Sequence, residues 1–211
     1  VYAFDSTTIP LCLSVFWWTR LHHGRGGMKM HTLYDVTTDI PSFVIITGAS
    51  VHDSKVMDQI PYESDSFYIS DRAYMATEHL FQIEMSEAYF VVREKSKILY
   101  KVLEDKHCSN PDTGVMADQI IVFTGSKTKK QYPRELRRVV FYDSENNRTL
   151  VLYTNNFVVS AEQIALLYRP ELYEIDMQRH INILELYKTI IMMMPNVRMY
   201  LDFTNSSNPF L

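Results

Sequence analysis

Most of this chain reads as short apolar or strand-like runs, and few stretches carry helical spacing. Residues 28–36 alternate, Thr37-Thr38-Asp39 supply a turn, and residues 41–49, with Phe43-Val44-Ile45-Ile46 at their centre, read as the partner strand. Two short apolar runs each end in an acid: residues 1–4 before Asp5, and residues 67–70 before Asp71. Residues 88–93 read as a further strand. Residues 11–18 are apolar and aromatic, fitting a short helix or a packed loop, and residues 22–27 are a glycine-rich loop. Helical spacing predicts a brief helix at 54–60 and a longer one at 77–86, with Leu80, Phe81 and Ile83 inward.

From residue 96 to 155 the character changes. Strand-like runs at 98–103, 119–124, 138–142 and 149–153 are separated by turn-rich links. Ser160 then has the chemistry of a helix N-cap ahead of Ala161, Ile164, Ala165 and Leu167. Pro170 interrupts or restarts that helix, and residues 173–187 form a second helical stretch. The order is α/β with antiparallel members. Three parts follow: 1–95 and 156–211, with a β-rich segment at 96–155 expected to pack beside the main sheet.

Composition narrows the class. The 211 residues are 46% hydrophobic and 22% charged, an ordinary globular balance. No apolar run is long enough for a membrane helix. Two cysteines, Cys12 and Cys108, form no metal motif and no disulfide framework, which points to a reducing, cytoplasmic setting. The opening Val-Tyr-Ala-Phe-Asp has no signal-peptide pattern and reads as a fragment that starts directly in a strand. A net charge of −4 weighs against a DNA-coating protein but leaves room for an enzyme that meets DNA through local patches.

The chemistry rests on Asp5 and Asp71. An acid at a strand exit often only caps a turn or helix. Two such carboxylates that converge can instead hold a hard divalent cation. A pair of such cations activates the nucleophile and stabilises the leaving oxygen at a phosphodiester.

The stretch Tyr2-Ala-Phe-Asp-Ser-Thr-Thr-Ile-Pro-Leu resembles the first acidic motif of bacterial insertion-sequence DDE transposases of the YREK-signature group. Gly27-Met-Lys-Met-His-Thr-Leu-Tyr-Asp, Val51-His-Asp-Ser, Phe67-Tyr-Ile-Ser-Asp-Arg-Ala-Tyr and Thr154-Asn-Asn-Phe follow in the family's order, as does Ile164-Ala-Leu-Leu-Tyr-Arg. The resemblance implies a ribonuclease H-like mixed sheet with flanking helices and a β-rich insertion before the last catalytic helix. It implies cleavage at the element's ends followed by strand transfer, with two Mg²⁺ or Mn²⁺ ions as cofactor. It also implies DNA as partner, a homodimeric synaptic complex and a bacterial, nucleoid-associated setting. Asp5 and Asp71 would be the first two metal ligands.

For the third, Tyr173-Glu174-Ile175-Asp176-Met177 fits the family's order with Asp in place of Glu. Asp176 ranks first and Glu174 second, ahead of Glu171. The spacing from Tyr168 is one residue longer than the family's, and the basic pattern after it is absent. A catalytically impaired or dead DNA-binding module, or a stand-alone nuclease, are therefore the alternative readings. Lys29, His31, Arg72, Arg93, Lys95, Lys97, Tyr168 and Arg169 are the candidate DNA contacts. Lys127, Lys129, Lys130, Arg134, Arg137 and Arg138 form the densest basic run, equally readable as a solvated face. His52-Asp53 is read as structural, ordering its loop, and Trp17-Trp18 as packing.

Overall fold

In a computed structural model of the protein, residues 1–11, 26–38, 40–95, 98–106 and 113–168 are described, all within one compact unit, Val1–Leu172. The expectations for residues 12–25, and for Lys97, Arg169, Glu171, Glu174, Asp176 and the 173–187 stretch, lie outside the described residues.

A nine-stranded mixed sheet organises the unit, in the order β3-β2-β1-β4-β5-β9-β8-β7-β6. The first three strands are β1 (Tyr2–Leu11), β2 (Gly26–Asp35) and β3 (Ile40–Gly48), and they form an antiparallel meander. β4 (Phe67–Ser70) and β5 (Tyr89–Arg93) run parallel to β1, and between them the chain crosses over through α1 (Thr77–Met85). Crossover connections of this kind are what parallel neighbours require. A mixed sheet with flanking helices is the architecture expected from the sequence.

Register decides which residues share a face. In β1 the side chains of Phe4, Ser6 and Thr8 lie on one face, and Ala3, Asp5 and Thr7 on the other. The first face carries the main core: Phe4, Leu33, Tyr68, Phe90, Val92 and Tyr153 pack there with Leu80 and Ile83 of α1. It is sealed by a 3₁₀ turn, Asp53–Gln59, that buries Val56 and Met57, and by a second, Arg72–Tyr74, that buries Tyr74. At about 25 cal/mol per Å² of apolar surface, burial on this scale is the main source of stability.

Two expectations are corrected. The first strand does not end at Asp5. β1 continues to Leu11 because β2 pairs with it along its whole length, from Tyr2↔Asp35 to Leu11↔Gly26. Only its other neighbour stops: β4 leaves the ladder after Phe4↔Ser70. Nor do the strands of 96–155 pack beside the sheet. They are β6 (Tyr100–Asp105), β7 (Val115–Phe123), β8 (Leu136–Asp143) and β9 (Arg148–Thr154). β9 pairs antiparallel with β5, at Val91↔Thr154 and Val92↔Tyr153, so the segment extends the sheet. The physical reason is an unfilled strand edge: β5 presents backbone donors and acceptors that β9 satisfies. A short helix, α2 (Ser126–Gln131), stands where the sequence suggested only a turn-rich link.

The helix start at Ser160 is as read. α3 (Ala161–Leu167) has a full capping box, with Ser160 Oγ accepting from the Gln163 backbone N–H and the Gln163 side chain accepting from the Ser160 N–H. It buries Ala161, Ile164 and Ala165 and lies against β7 and β8.

Candidate functional site

Asp5 and Asp71 each stand one residue beyond the last paired position of β1 and β4, Phe4↔Ser70. Parallel neighbours in register lie about 4.8 Å apart and point their side chains to the same face. Asp71 keeps an extended backbone (φ −76°, ψ 168°), so the register carries through to it. The two acids therefore meet where β1 continues and β4 breaks off.

Neither acid does the ordinary work of an acid in its place. Asp71 precedes the 3₁₀ turn Arg72–Tyr74, yet its side chain makes no capping hydrogen bond. Asp5 sits mid-strand opposite Thr32. Among the described residues, neither carboxylate forms an ion pair with a lysine, arginine or histidine. Burial pushes the Asp5 carboxyl above its usual range. The backbone N–H of Ser6 works the other way, and the charges of Asp71 and Asp53 add to the rise. Such a carboxylate is poised to gain either a proton or a cation.

On the opposite face of β1 the charges are paired. Asp53, at the start of its 3₁₀ turn, accepts from Ser6 Oγ at 3.1 Å and pairs with Lys29 Nζ at 2.9 Å. Lys29 Nζ also donates to the Val51 carbonyl at 3.0 Å. His31 is fully buried, with Nε2 2.9 Å from Thr47 Oγ1 and Nδ1 3.7 Å from Asp53. Burial, first, and Lys29 lower its pKa, while Asp53 opposes them. Burial also raises the Asp53 carboxyl, but Lys29, Ser6 and His31 outweigh it and hold it low. Lys29 and His31, read from sequence as DNA contacts, are thus engaged inside the protein, and the His52-Asp53 pair orders its loop. His52 caps the turn, with Nδ1 accepting from the Ser54 N–H.

The other cations divide similarly. Arg72 and Lys95 are exposed and Arg93 is half-buried; Arg93 follows Val92 at the open end of β5, one strand from Asp71. The dense basic run separates on folding. Arg137 is buried against Asp118, Arg138 lies near Glu94 and over the Tyr100 ring, and Arg134 pairs with Glu84. Lys127, Lys129 and Lys130 on α2 are not buried.

Sequence reasoning missed one contact at the site. Tyr168, the C-cap of α3, donates its hydroxyl to Asp71 Oδ1 at 3.1 Å. The two are 97 residues apart, and no local pattern signals the pairing.

The site's donors are oxygen, the set that hard divalent cations prefer. Asp5 and Asp71 fit such an ion as part of its shell. Among the described residues no group of three His, Cys, Asp or Glu side chains is close enough to complete one. Also among the described residues, no helix is long and apolar enough to cross a membrane.

Two curated relatives resemble the chain over 167 residues. A putative transposase of Sinorhizobium fredii is 33% identical across 78% of this chain and 46% of its own length. A probable transposase for an insertion sequence element of Geobacillus stearothermophilus is 31% identical across 78% of this chain and 43% of its own. The chain thus spans less than half the length of these relatives. A piggyBac transposase, solved as a synaptic complex with hairpin DNA, superposes with a TM-score of 0.45 at 11% identity, over 79% of this chain and 37% of that one. The family described as Transposase DDE domain matches residues 1–170. With that match spanning all the described residues, including Asp5 and Asp71, the chain belongs to the DDE transposase domain family.

Proposed function

We propose that this chain is the catalytic domain of an insertion-sequence transposase that cuts DNA at the element's ends and joins the freed strand to a target. The observation that supports it is the placement of Asp5 and Asp71. They are two carboxylates one residue past the last paired position of adjacent parallel strands, one with a raised pKa, neither capping a helix nor paired with a cation among the described residues.

In this reading Asp5 and Asp71 hold divalent metal, two Mg²⁺ or Mn²⁺ ions, with a third acid from the segment after α3. Asp176 is the preferred third ligand and Glu174 the second choice, because Ile175 and Met177 flank Asp176 as the family's aliphatic residues flank its Glu. Bound metal would lower the pKa of the attacking water or hydroxyl and offset charge at the phosphorus. The protein's own part is to bind and orient. Asp5 is held within the β1–β2 ladder, and Asp71 stands at the exit of β4, one residue past its last paired position. Arg72, Arg93 and Lys95, with Lys97 and Arg169, supply phosphate contacts that position DNA. Residues 96–155 are read as the family's β-rich insertion between the core parts 1–95 and 156–211. A homodimeric assembly on DNA ends and a nucleoid setting complete the proposal.

The test is Mn²⁺ titration of the full chain by calorimetry, alongside cleavage of a DNA carrying the element's own end. Wild type should take up Mn²⁺ and nick the DNA only with metal, and Asp5→Asn and Asp71→Asn should lose both. Uptake of metal without cleavage, restored by Asp176→Glu, would identify an impaired copy. Shortening Glu to Asp retracts the carboxylate by about 1.5 Å, enough to weaken catalysis. Neither uptake nor cleavage in any version would favour the dead DNA-binding module.

A further inference from the structure

The contact between Tyr168 and Asp71 ties the end of α3 to the second acid of the site. Three observations show that it is built. First, Asp71 has no other side-chain task in its own turn, since it caps nothing there. Second, Tyr168 is half-buried, and toward a carboxylate oxygen its phenol acts as the donor. Third, α3 is anchored at its other end. Arg137, paired through Nε and Nη2 with the two Asp118 oxygens at 2.8 Å, donates from Nη1 to the carbonyls of Val159 at 2.5 Å and Asn156 at 3.4 Å. The Asn156 side chain in turn accepts from the Val158 and Val159 N–H groups. The capping box then starts the helix. A continuous set of contacts thus runs from the buried Asp118–Arg137 pair through α3 to Asp71.

We propose that Tyr168 is a positioning residue for Asp71. Its phenol holds Oδ1, fixes the carboxylate's orientation, and leaves Oδ2 directed for metal. This rests on the reading of Asp71 as a metal ligand. It differs from the sequence-based expectation that Tyr168 touches DNA: a phosphate contact would leave Asp71 unaffected. Partners that hold a ligating carboxylate by its second atom commonly change metal affinity by about 10–100-fold when removed.

The experiment compares the full chain with Tyr168→Phe, which keeps the ring and removes only the hydroxyl, and with Asp71→Asn. Two readouts are taken: Mn²⁺ affinity by calorimetry, and the carboxyl ¹³C resonance of Asp71 in metal-free protein, assigned by its loss in Asp71→Asn. Tyr168→Phe should shift the Asp71 resonance, weaken Mn²⁺ binding about tenfold or more, and leave the thermal midpoint within about 2 °C, well under the effect of a core defect. Mn²⁺ affinity within about twofold of wild type, or an unmoved Asp71 resonance, would overturn the positioning role while leaving the metal reading intact. If wild type takes up no Mn²⁺, with Asp71→Asn no different, the metal reading fails and the positioning role fails with it.

Discussion

The two ends of the sheet treat charge in opposite ways. In the half built from β6 to β9 three arginines are matched to carboxylates. Arg137 meets Asp118 with side chains only 4% and 9% exposed, Arg148 meets Asp143 at 3.0 Å, and Arg138 lies 3.9 Å from Glu94. At the β1–β4 junction, Asp5 and Asp71 are set beside each other with no cation paired to either among the described residues. A charge removed from water without a partner costs free energy, so proteins pair buried ions. Where like charges are instead brought together, the fold gives up stability, and sites of chemistry are where that occurs. The comparison separates structural charge from functional charge without any reference to composition, which is nearly balanced.

The most direct challenge to this contrast is to remove one member from each side. Arg137→Met should destabilise by about 3–5 kcal/mol in chemical denaturation, because Asp118 is left buried and unpaired. Asp5→Asn should do the reverse at neutral pH in metal-free protein, raising the thermal midpoint, since it removes a partly buried carboxylate that feels the charges of Asp71 and Asp53. The same change should abolish metal-dependent cleavage, on the order of 10³-fold for several kcal/mol of lost transition-state stabilisation. A fall in thermal midpoint in Asp5→Asn would place Asp5 among the structural charges.

Lys29 and Asp53 mark the boundary, because they are paired yet lie just across the strand from Asp5. Lys29→Met should cost about 2 kcal/mol, the scale of a charge-assisted hydrogen bond. The pH sign is also fixed. Asp53 is held low in the folded protein, so its contribution is present above the unfolded carboxylate pKa of about 3.9 and is lost as pH falls through its depressed folded value. Thermal midpoints measured from about pH 3 to 7 should therefore fall less steeply on the acid side in Lys29→Met than in wild type.

A smaller effect probes the β6–β9 half through its backbone. Gly114, ahead of β7, has φ +75°, and a Cβ there would meet the Tyr142 carbonyl oxygen at 2.8 Å. Gly114→Ala should cost about 1–3 kcal/mol, read as a lowered denaturation midpoint with unchanged Mn²⁺ affinity. The smallest expected effect is on DNA. Replacing Lys127, Lys129 and Lys130 together by Ala should leave stability unaltered and lower the slope of log affinity against log salt by about 1 for each phosphate no longer neutralised. An unchanged slope would make α2 a solvated face.

Much of the fold was legible because its signals are local. Alternating and apolar runs marked eight of the nine strands to within a few residues, and Ser160 marked the start of α3. α2 was invisible, because Ser126-Lys-Thr-Lys-Lys-Gln buries no residue and so carries no hydrophobic period. The position of residues 96–155 was misread for a different reason. Strand periodicity tells which residues pair but not with what, and the edge of β5 that receives β9 is not visible in either strand's own sequence.

At the site the same division holds. The chemistry on offer was readable from the chain alone: two aspartates set after hydrophobic strands, inside motifs that follow a family's order. Their surroundings came from folding. The three-residue parallel register set Asp5 against Asp71, while Asp53, Lys29 and His31 gathered on the opposite face. Three closely spaced arginines, Arg134, Arg137 and Arg138, were dispersed to separate carboxylates, and Tyr168 was brought onto Asp71 across 97 residues. The physical reason is that the charge state and orientation of a side chain depend on what surrounds it in space. Local sequence encodes backbone period and burial, whereas partners separated by half the chain are chosen only when the sheet closes its register.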